Sequence, residues 1–497
     1  MSIINKLVGI YYNKRRTEID FFKRNPLECV DMQLKQLLQC CEQTSYLKER
    51  GIKASSSYEE YASRVPIVTY EDFVTEIESV MNGDWQRLCP SRPDWYAKSS
   101  GTTNAASKFI PTTYESMKNI HFKGFNDVVA TYNALYPTGG AFFGKSLTLG
   151  GSLSFSPNSG GGKVGDLSGI LIENTPSLFE IIRFPSKAIT LDANFEEKIS
   201  KIAKISENQN ITSFAGVPSW YMVLMNLILD YTGKKNMCEV WPNIDFFAHG
   251  GIKFSPYKDE FNRLFPSSDM KYMETYNASE GFFAIGDDPS RDDMLLMLDY
   301  QMYYEFMEQT PQQKVVPLEG VEVGKNYAII ISTSGGLYRY MIGDTVTFTS
   351  TDPYRIKISG RTKHYINVVG EELIVDNAEE AIMSACNITS ASVKDYTAAP
   401  IFMQSHRKAG HEWIFEFNNM PSSVDRFISV LDDTLMRLNS DYRAKRVGGA
   451  LDTPKVLIAG RNTFYNWMKS RGKLGGQNKI PRLSNDRKYI DSLLSIM

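Results

Sequence analysis

Between residues 145 and 332, short apolar runs alternate with stretches of helical periodicity, and no other feature of the chain restricts its fold as much. Lys145–Leu149, Leu167–Ile172, Ile211–Ala215, Ile244–Ala248, Lys271–Tyr276 and Tyr327–Ser332 read as strands. Phe195–Ser206 and Ser219–Tyr231 read as amphipathic helices lying between them. Strands spaced by helices imply an α/β architecture with at least one largely parallel sheet. Up to about residue 90 the pattern is helical instead, with Val30, Leu34, Leu37 and Leu38 at three- and four-residue spacing. Tyr338–Ser350 reads as further strand.

The texture changes again near Gly360-Arg361-Thr362-Lys363. A short strand Tyr365–Val369 follows, then a helix from about Asp376 and a hairpin around the polar turn Ser405–Gly410. A single charged helix, Val424–Arg446, comes next. The expected organisation is therefore a large N-terminal α/β domain over 1–360, a hinge at 361–363 and a smaller α+β domain over 364–497. A chain of 497 residues has room for two or three domains.

With 55 Lys+Arg against 57 Asp+Glu, the net charge of −2 argues against holding nucleic acid or an anionic membrane by bulk charge. One basic block stands out: Arg461 to Lys488 carries eight Lys/Arg against Asp486 alone. Such a block is either a solvated face or a site for a small polyanion. The cysteines at 29, 40, 41, 89, 238 and 386 lack C-x-x-C spacing, which suits reduced thiols in a cytoplasm better than disulfides or zinc. Met1–Pro26 has neither the apolar stretch nor the cleavage site of a signal peptide, and reads as an amphipathic helix packed on its own domain.

Several loops could carry chemistry. Ser99-Ser100-Gly101-Thr102-Thr103-Asn104-Ala105-Ala106-Ser107-Lys108 offers hydroxyls, a flexible glycine and an ammonium, the donors a polyphosphate needs, although a Ser/Thr-rich turn can equally be a plain loop. Gly160–Gly165 matches G-x-G-x-x-G, but a dinucleotide site needs a helix directly after it. The strand-like Leu167–Ile172 argues against that, leaving a mobile loop. Glu274–Gly281 holds Tyr276, Ser279 and Glu280, able to cover a base, meet a phosphate and ligate a hard cation, or simply to cap a turn. Gly343-Asp344 could offer a carboxylate to ribose hydroxyls, and Gly475–Arg482 is a glycine-rich turn presenting Lys479. His249, beside Gly250-Gly251, could face a pocket at the carboxyl end of a strand. His406 and His411 lie without a nearby cysteine, so zinc there is not expected.

The order of these segments resembles the acyl-adenylate-forming superfamily, and more closely the Gretchen Hagen 3 (auxin-responsive promoter) acyl acid-amido synthetases. Ser99–Thr103 with Lys108–Pro111, Phe214–Trp220, His249–Gly251, Glu274–Gly281, Tyr338–Asp344, Leu438–Tyr442 and Gly476–Arg482 carry the resemblance. It implies a large ATP- and acyl acid-binding domain and a small C-terminal domain that moves between half-reactions. It also implies that Ser99, Ser100, Gly101, Thr102 and Thr103 grip ATP phosphates and that Gly251 and Tyr276 line the adenine and acyl side. By the same resemblance Ser279 meets the α-phosphate, Glu280 ligates Mg²⁺, Asp344 holds the ribose, Arg361 marks the hinge and Lys479 reaches in during adenylation. His249, Trp220 and Tyr221 are candidate walls of the substrate pocket, or core packing. Two departures stand out: Asn104-Ala105-Ala106 where relatives carry glycine, and Met341 in the arginine place of Tyr-Arg-x-Gly-Asp.

The expected activity is ATP- and Mg²⁺-dependent joining of a small carboxylic acid to an amine, such as an amino acid, in a cytoplasmic monomer that binds neither nucleic acid nor membrane. A thioester-forming coenzyme A ligase and a nucleotide-binding protein without turnover are the alternatives.

Overall fold

A computed structural model of the chain describes residues 3–99, 108–154, 162–252, 254, 257–267, 269–310, 312–361, 365–403, 408–470 and 482–497. The first segment is helical, as its periodicity predicts: Ile3–Arg24, Pro26–Cys41, Tyr58–Arg64 and Tyr70–Met81 are its longer helices. Pro26 opens the second, where a missing N–H costs nothing. Ser57 and Glu60 close a reciprocal capping box on the third. The first helix packs on its own domain through charge as well as apolar contact. Arg15 donates to Asp127 at 2.7 and 2.6 Å and to Asp299 at 2.8 Å.

Twelve strands form the main sheet. Arg183–Phe184, Lys145–Thr148, Ile211–Gly216, Phe246–Gly250 and Lys271–Ala278 lie side by side, all parallel. All but Arg183–Phe184 are strands whose apolar runs alternate with helices in the sequence. Phe195–Ser206 and Pro218–Thr232, the two helices expected between them, are present. From Lys271–Ala278 onward the sheet continues antiparallel through Gly281–Ile285, Met294–Leu296, Tyr354–Arg361, Tyr340–Thr351, Asn326–Thr333, Met302–Glu308 and Val315–Pro317.

A second, four-stranded sheet holds Lys108–Thr112, Trp95–Ser99, Lys163–Asp166 and Leu153–Ser154 in that order. Here two sequence readings are overturned. Lys163–Gly165 is strand rather than loop, and Leu167–Glu173 is a helix rather than a strand. Leu167, Gly169, Ile170, Leu171 and Ile172 are all buried, so the helix is apolar all round and shows neither period. A helix therefore does follow the glycine-rich stretch, although Gly160 and Gly161 lie outside the described residues.

Beyond residue 364, Tyr365–Ile366 and Leu373–Ile374 form a small ribbon. Helix Val375–Thr389 follows, then the expected hairpin, Ser392–Ile401 against Gly410–Asn419, extended by Lys455–Ile458. The expected long helix is two, Val424–Leu438 and Ser440–Val447. Asn439 breaks it: its extended backbone leaves the first helix, and its side chain accepts the N–H groups of Asp441 and Tyr442 to cap the second. One apolar cluster runs from Leu147, Phe214 and Phe247 to Ile366, Val369 and Trp413, so the smaller part shares a core with the parallel strands.

Candidate active site

The parallel strands end together. Gly216 lies opposite His249, His249 opposite Glu274, and Gly250 opposite Thr275. Gly250 is required by close approach, since a Cβ there would sit 2.4 Å from the Thr275 carbonyl oxygen. Gly251 turns the chain away at φ +81°, a region that favours glycine.

Tyr276 lies within a strand rather than in a turn, because Lys271–Ala278 runs on past the expected end and pairs with Gly281–Ile285. Only Ser279-Glu280 connect the two. The Tyr276 hydroxyl donates to Asp344 Oδ2 at 2.7 Å, and both residues are buried. Asp344 is also mid-strand, directly opposite Arg361. Gly343 before it takes φ +95° where the ladder is irregular. Thus three of the predicted stretches, around 276, 344 and 361, meet at one end of the sheet.

The Ser279-Glu280 turn borders a cavity of about 10 Å³, room for roughly one water. Its other walls include Ile110, Pro111 and Thr112, in the strand that leaves the hydroxyl-rich loop, with His121 and Thr333. Glu280 is 9% exposed. It lies near Tyr70, whose hydroxyl accepts the Phe109 N–H at 3.0 Å. Glu280 therefore stands beside the flank of the hydroxyl-rich loop. Ser99 ends one strand of that hairpin and Lys108 begins the other, paired in register. Ser100, Gly101, Thr102 and Thr103 lie outside the described residues, as does Lys479. Among the described residues no three His, Cys, Asp or Glu side chains converge as a metal cluster would.

The candidate pocket walls divide. Tyr221 is a core residue: it is fully buried, and its hydroxyl donates toward the Leu147 and Ala215 carbonyls while accepting the Leu149 N–H. His249 is buried and stacks on Phe254 with ring centres 4.2 Å apart. Desolvation pushes its pKa down to about 3, so the ring is neutral. It faces an aromatic cluster, not an open pocket. Trp220 is different. Its indole N–H donates 3.0 Å to the Val369 carbonyl, and the Lys445 ammonium stands 4.3 Å above its ring.

That seam was invisible in the sequence. Tyr257 donates to the Val368 carbonyl at 3.2 Å, beside the Trp220 contact. The 367–371 loop is held by Glu371, whose carboxylate accepts the Val368 and Val369 N–H groups at 2.8 Å each. His411 Nε2 lies 2.8 Å from the same carboxylate, so this histidine is a buried support of the loop rather than a turn residue. The pattern Asn-Val-Val-Gly-Glu carries no local signal for such a partnership.

On the same seam, burial pushes Asp441 from 3.8 up to about 6. Lys445 opposes this, Asp166 adds to it, Lys98 opposes it and Glu372 adds to it. The folded state thus holds this proton more tightly than the unfolded chain does. Its stabilising contribution is complete below about pH 4 and is lost as pH rises through about 6. In urea unfolding measured across that window, wild-type stability minus that of Asp441→Asn is expected to fall, then level off above about pH 7.

Comparison with known proteins places the chain in a family. The Arabidopsis thaliana "Indole-3-acetic acid-amido synthetase GH3.4" is 23% identical over 95% of this chain and 92% of its own length. The Arabidopsis thaliana "4-substituted benzoates-glutamate ligase GH3.12" is 21% identical over 93% of this chain and 94% of its own. Among solved structures, "GH3.15 acyl acid amido synthetase" superposes with a TM-score of 0.61 at 17% identity, covering 97% of this chain and 96% of that one. A 2-hydroxyisobutyryl-CoA ligase bound to 2-HIB-AMP and CoA superposes at 0.59 and 16% identity, covering 95% and 92%. The chain therefore shares the fold of these two proteins. Residues 15–165 and 138–270 match the GH3 family N-terminal domain, 295–361 its central domain and 376–488 its C-terminal domain. The chain belongs to the GH3 family.

Proposed function

We propose that the chain is an ATP-dependent acyl acid-amido synthetase. A carboxylate oxygen of a small acid attacks the α-phosphorus of ATP, and pyrophosphate leaves with the electron pair of the broken P–O bond. An amine nitrogen, in our reading that of an amino acid, then attacks the acyl carbonyl carbon. The C–N bond forms, the nitrogen gives up a proton to solvent, the C–O bond to AMP breaks, and AMP leaves with its electron pair.

The observation that carries this reading is that the strand whose Tyr276 bonds Asp344 runs directly into the Ser279-Glu280 turn, which shares a cavity with the strand leaving the hydroxyl-rich loop. In this reading Asp344 receives the ribose hydroxyls with Tyr276 fixing its carboxylate, and Gly251 leaves space for the adenine. Ser99, Ser100, Gly101, Thr102 and Thr103 donate to the phosphates, Ser279 meets the α-phosphate, and Arg361 approaches from the opposite strand. Lys479 offsets charge during the first step and withdraws for the second.

The oxygen set around Glu280 suits Mg²⁺. One carboxylate stands among the hydroxyl side chains of Thr112, Ser279 and Thr333, all hard donors, and Mg²⁺ is usually held by one or two carboxylates with substrate phosphates. When bound, the ion would neutralise charge building on the phosphates. The scattered, unpaired cysteines support a cytoplasmic setting.

The test is acid-dependent exchange of labelled pyrophosphate into ATP across a library of small carboxylates, followed by mass spectrometry with amino acids or coenzyme A. The reading expects exchange with at least one acid, an amide product, and loss of exchange by about a hundredfold in Lys479→Ala. A thioester product, or exchange with no acid, would contradict it.

A further inference from the structure

Four charges from two parts of the chain gather at the seam beside Trp220 without pairing. Lys98 and Asp166 lie opposite each other on the parallel strands Trp95–Ser99 and Lys163–Asp166. Asp441 and Lys445 sit one turn apart on the helix Ser440–Val447 and face them. Within 4 Å, none of the four forms an ion pair with another described residue. Of the other acids nearby, Glu371 and Glu372, the first is committed to Val368, Val369 and His411. Asp166 accepts the Ser152 N–H at 2.8 Å, which fixes its carboxylate.

Lys445 has an aromatic neighbour and, among the described residues, no carboxylate within 4 Å. Its ammonium rests on the Trp220 ring at 4.3 Å, and a Cβ at position 370 would lie 3.9 Å from it. Gly370, at φ +96°, thus lies against the end of the Lys445 side chain. Burial pushes the Lys445 pKa down, so an ammonium with an aromatic floor and no carboxylate within 4 Å among the described residues gains from an anionic ligand group. Two carboxylates within electrostatic reach suit a cationic group on the same ligand. Lys98 also directly precedes Ser99 and the hydroxyl-rich loop, so the seam adjoins the region where the acyl-adenylate would form.

We propose that this seam binds the acceptor as a zwitterionic amino acid, Lys445 taking the α-carboxylate over Trp220 while Asp166 and Asp441 attract the α-ammonium. The proposal rests on the amido-synthetase reading and names the second substrate's site within it. It accounts for charges that the nucleotide-binding residues leave unused.

The experiment compares an amino acid acceptor with its carboxamide, which keeps the amine and loses the carboxylate. Acid-dependent pyrophosphate exchange needs no acceptor and measures how much folded, adenylating enzyme each sample contains. Wild-type enzyme is expected to favour the amino acid over the carboxamide by about 10–100-fold in kcat/KM, the range for a hydrogen bond to a charged partner. Lys445→Met should raise the amino acid KM by a similar factor and abolish the preference, while Lys445→Arg should retain most of it. Equal use of acid and carboxamide by the wild type would overturn the proposal without needing any variant. An unchanged KM in Lys445→Met that still exchanges pyrophosphate would overturn it too. Absence of exchange in the wild type would instead overturn the amido-synthetase reading, and the proposal with it.

Discussion

Glu280→Gln is expected to slow acid-dependent pyrophosphate exchange by about 100–1,000-fold, with the thermal unfolding midpoint nearly unchanged. The magnitude is that of removing one preorganised electrostatic contact from a transition state in which charge develops. Joining a carboxylate to a triphosphate brings anions together, so loss of the one carboxylate at the Ser279-Glu280 turn removes the group proposed to hold the compensating cation. The substitution keeps the side chain's shape and its place beside Thr112 and Thr333. The two-residue connection that sets its position is closed by the Ala278–Gly281 pair and is untouched. A tenfold or smaller loss, or a loss cured by saturating acid alone, would show that Glu280 is a structural residue of the hairpin.

Glu305→Ala is expected to destabilise the fold by about 3–5 kcal/mol, the usual cost of leaving one partner of a buried ion pair alone. Arg339 grips Glu305 with two parallel bonds of 2.8 and 2.7 Å, and the pair is 8% and 1% exposed. The same guanidinium donates to the Ala62 and Val65 carbonyls, and Tyr58 donates to Glu305 at 3.0 Å. This cluster ties the N-terminal helices to the antiparallel half of the sheet. Urea unfolding of Glu305→Ala checks the figure, and a loss below about 1 kcal/mol would mean the pair is already solvated. Arg339 belongs to the Tyr338–Asp344 stretch that carries the family resemblance, yet its contacts are with protein. Met341 beside it is bonded through its backbone to Val68.

How much could be read in advance depended on whether the signal was local. The helix Phe195–Ser206 was legible because its apolar residues mark one face, and the parallel strands because they are short apolar runs between helices. Leu167–Glu173 was misread as strand because a helix buried on every side has no polar face to mark its turn. Asn439 split a helix whose charge pattern looked continuous, since a cap is one side chain and not a change of period. In the site, Tyr276, Ser279, Glu280 and Asp344 were picked out as residue types. The Tyr276–Asp344 hydrogen bond and the cavity at Ser279 and Glu280 depend on strands that pair only in three dimensions. His249 looked like a pocket residue because it follows a strand end, and Tyr221 was a candidate for pocket or core; both are buried. The Glu371–His411 support and the Lys445–Trp220 contact left no trace, because each joins segments far apart in sequence.

The central claim is that separate stretches of chain act on one nucleotide. Its most direct test is a crystal structure with adenosine linked through a sulfamoyl group to an accepted acyl acid, a stable mimic of the acyl-adenylate. The ribose hydroxyls are expected within hydrogen-bond distance of Asp344, with the sulfamoyl beside Ser279 and the adenine over Gly251. Adenosine bound away from Asp344, with the Tyr276–Asp344 pair untouched by ligand, would contradict the account.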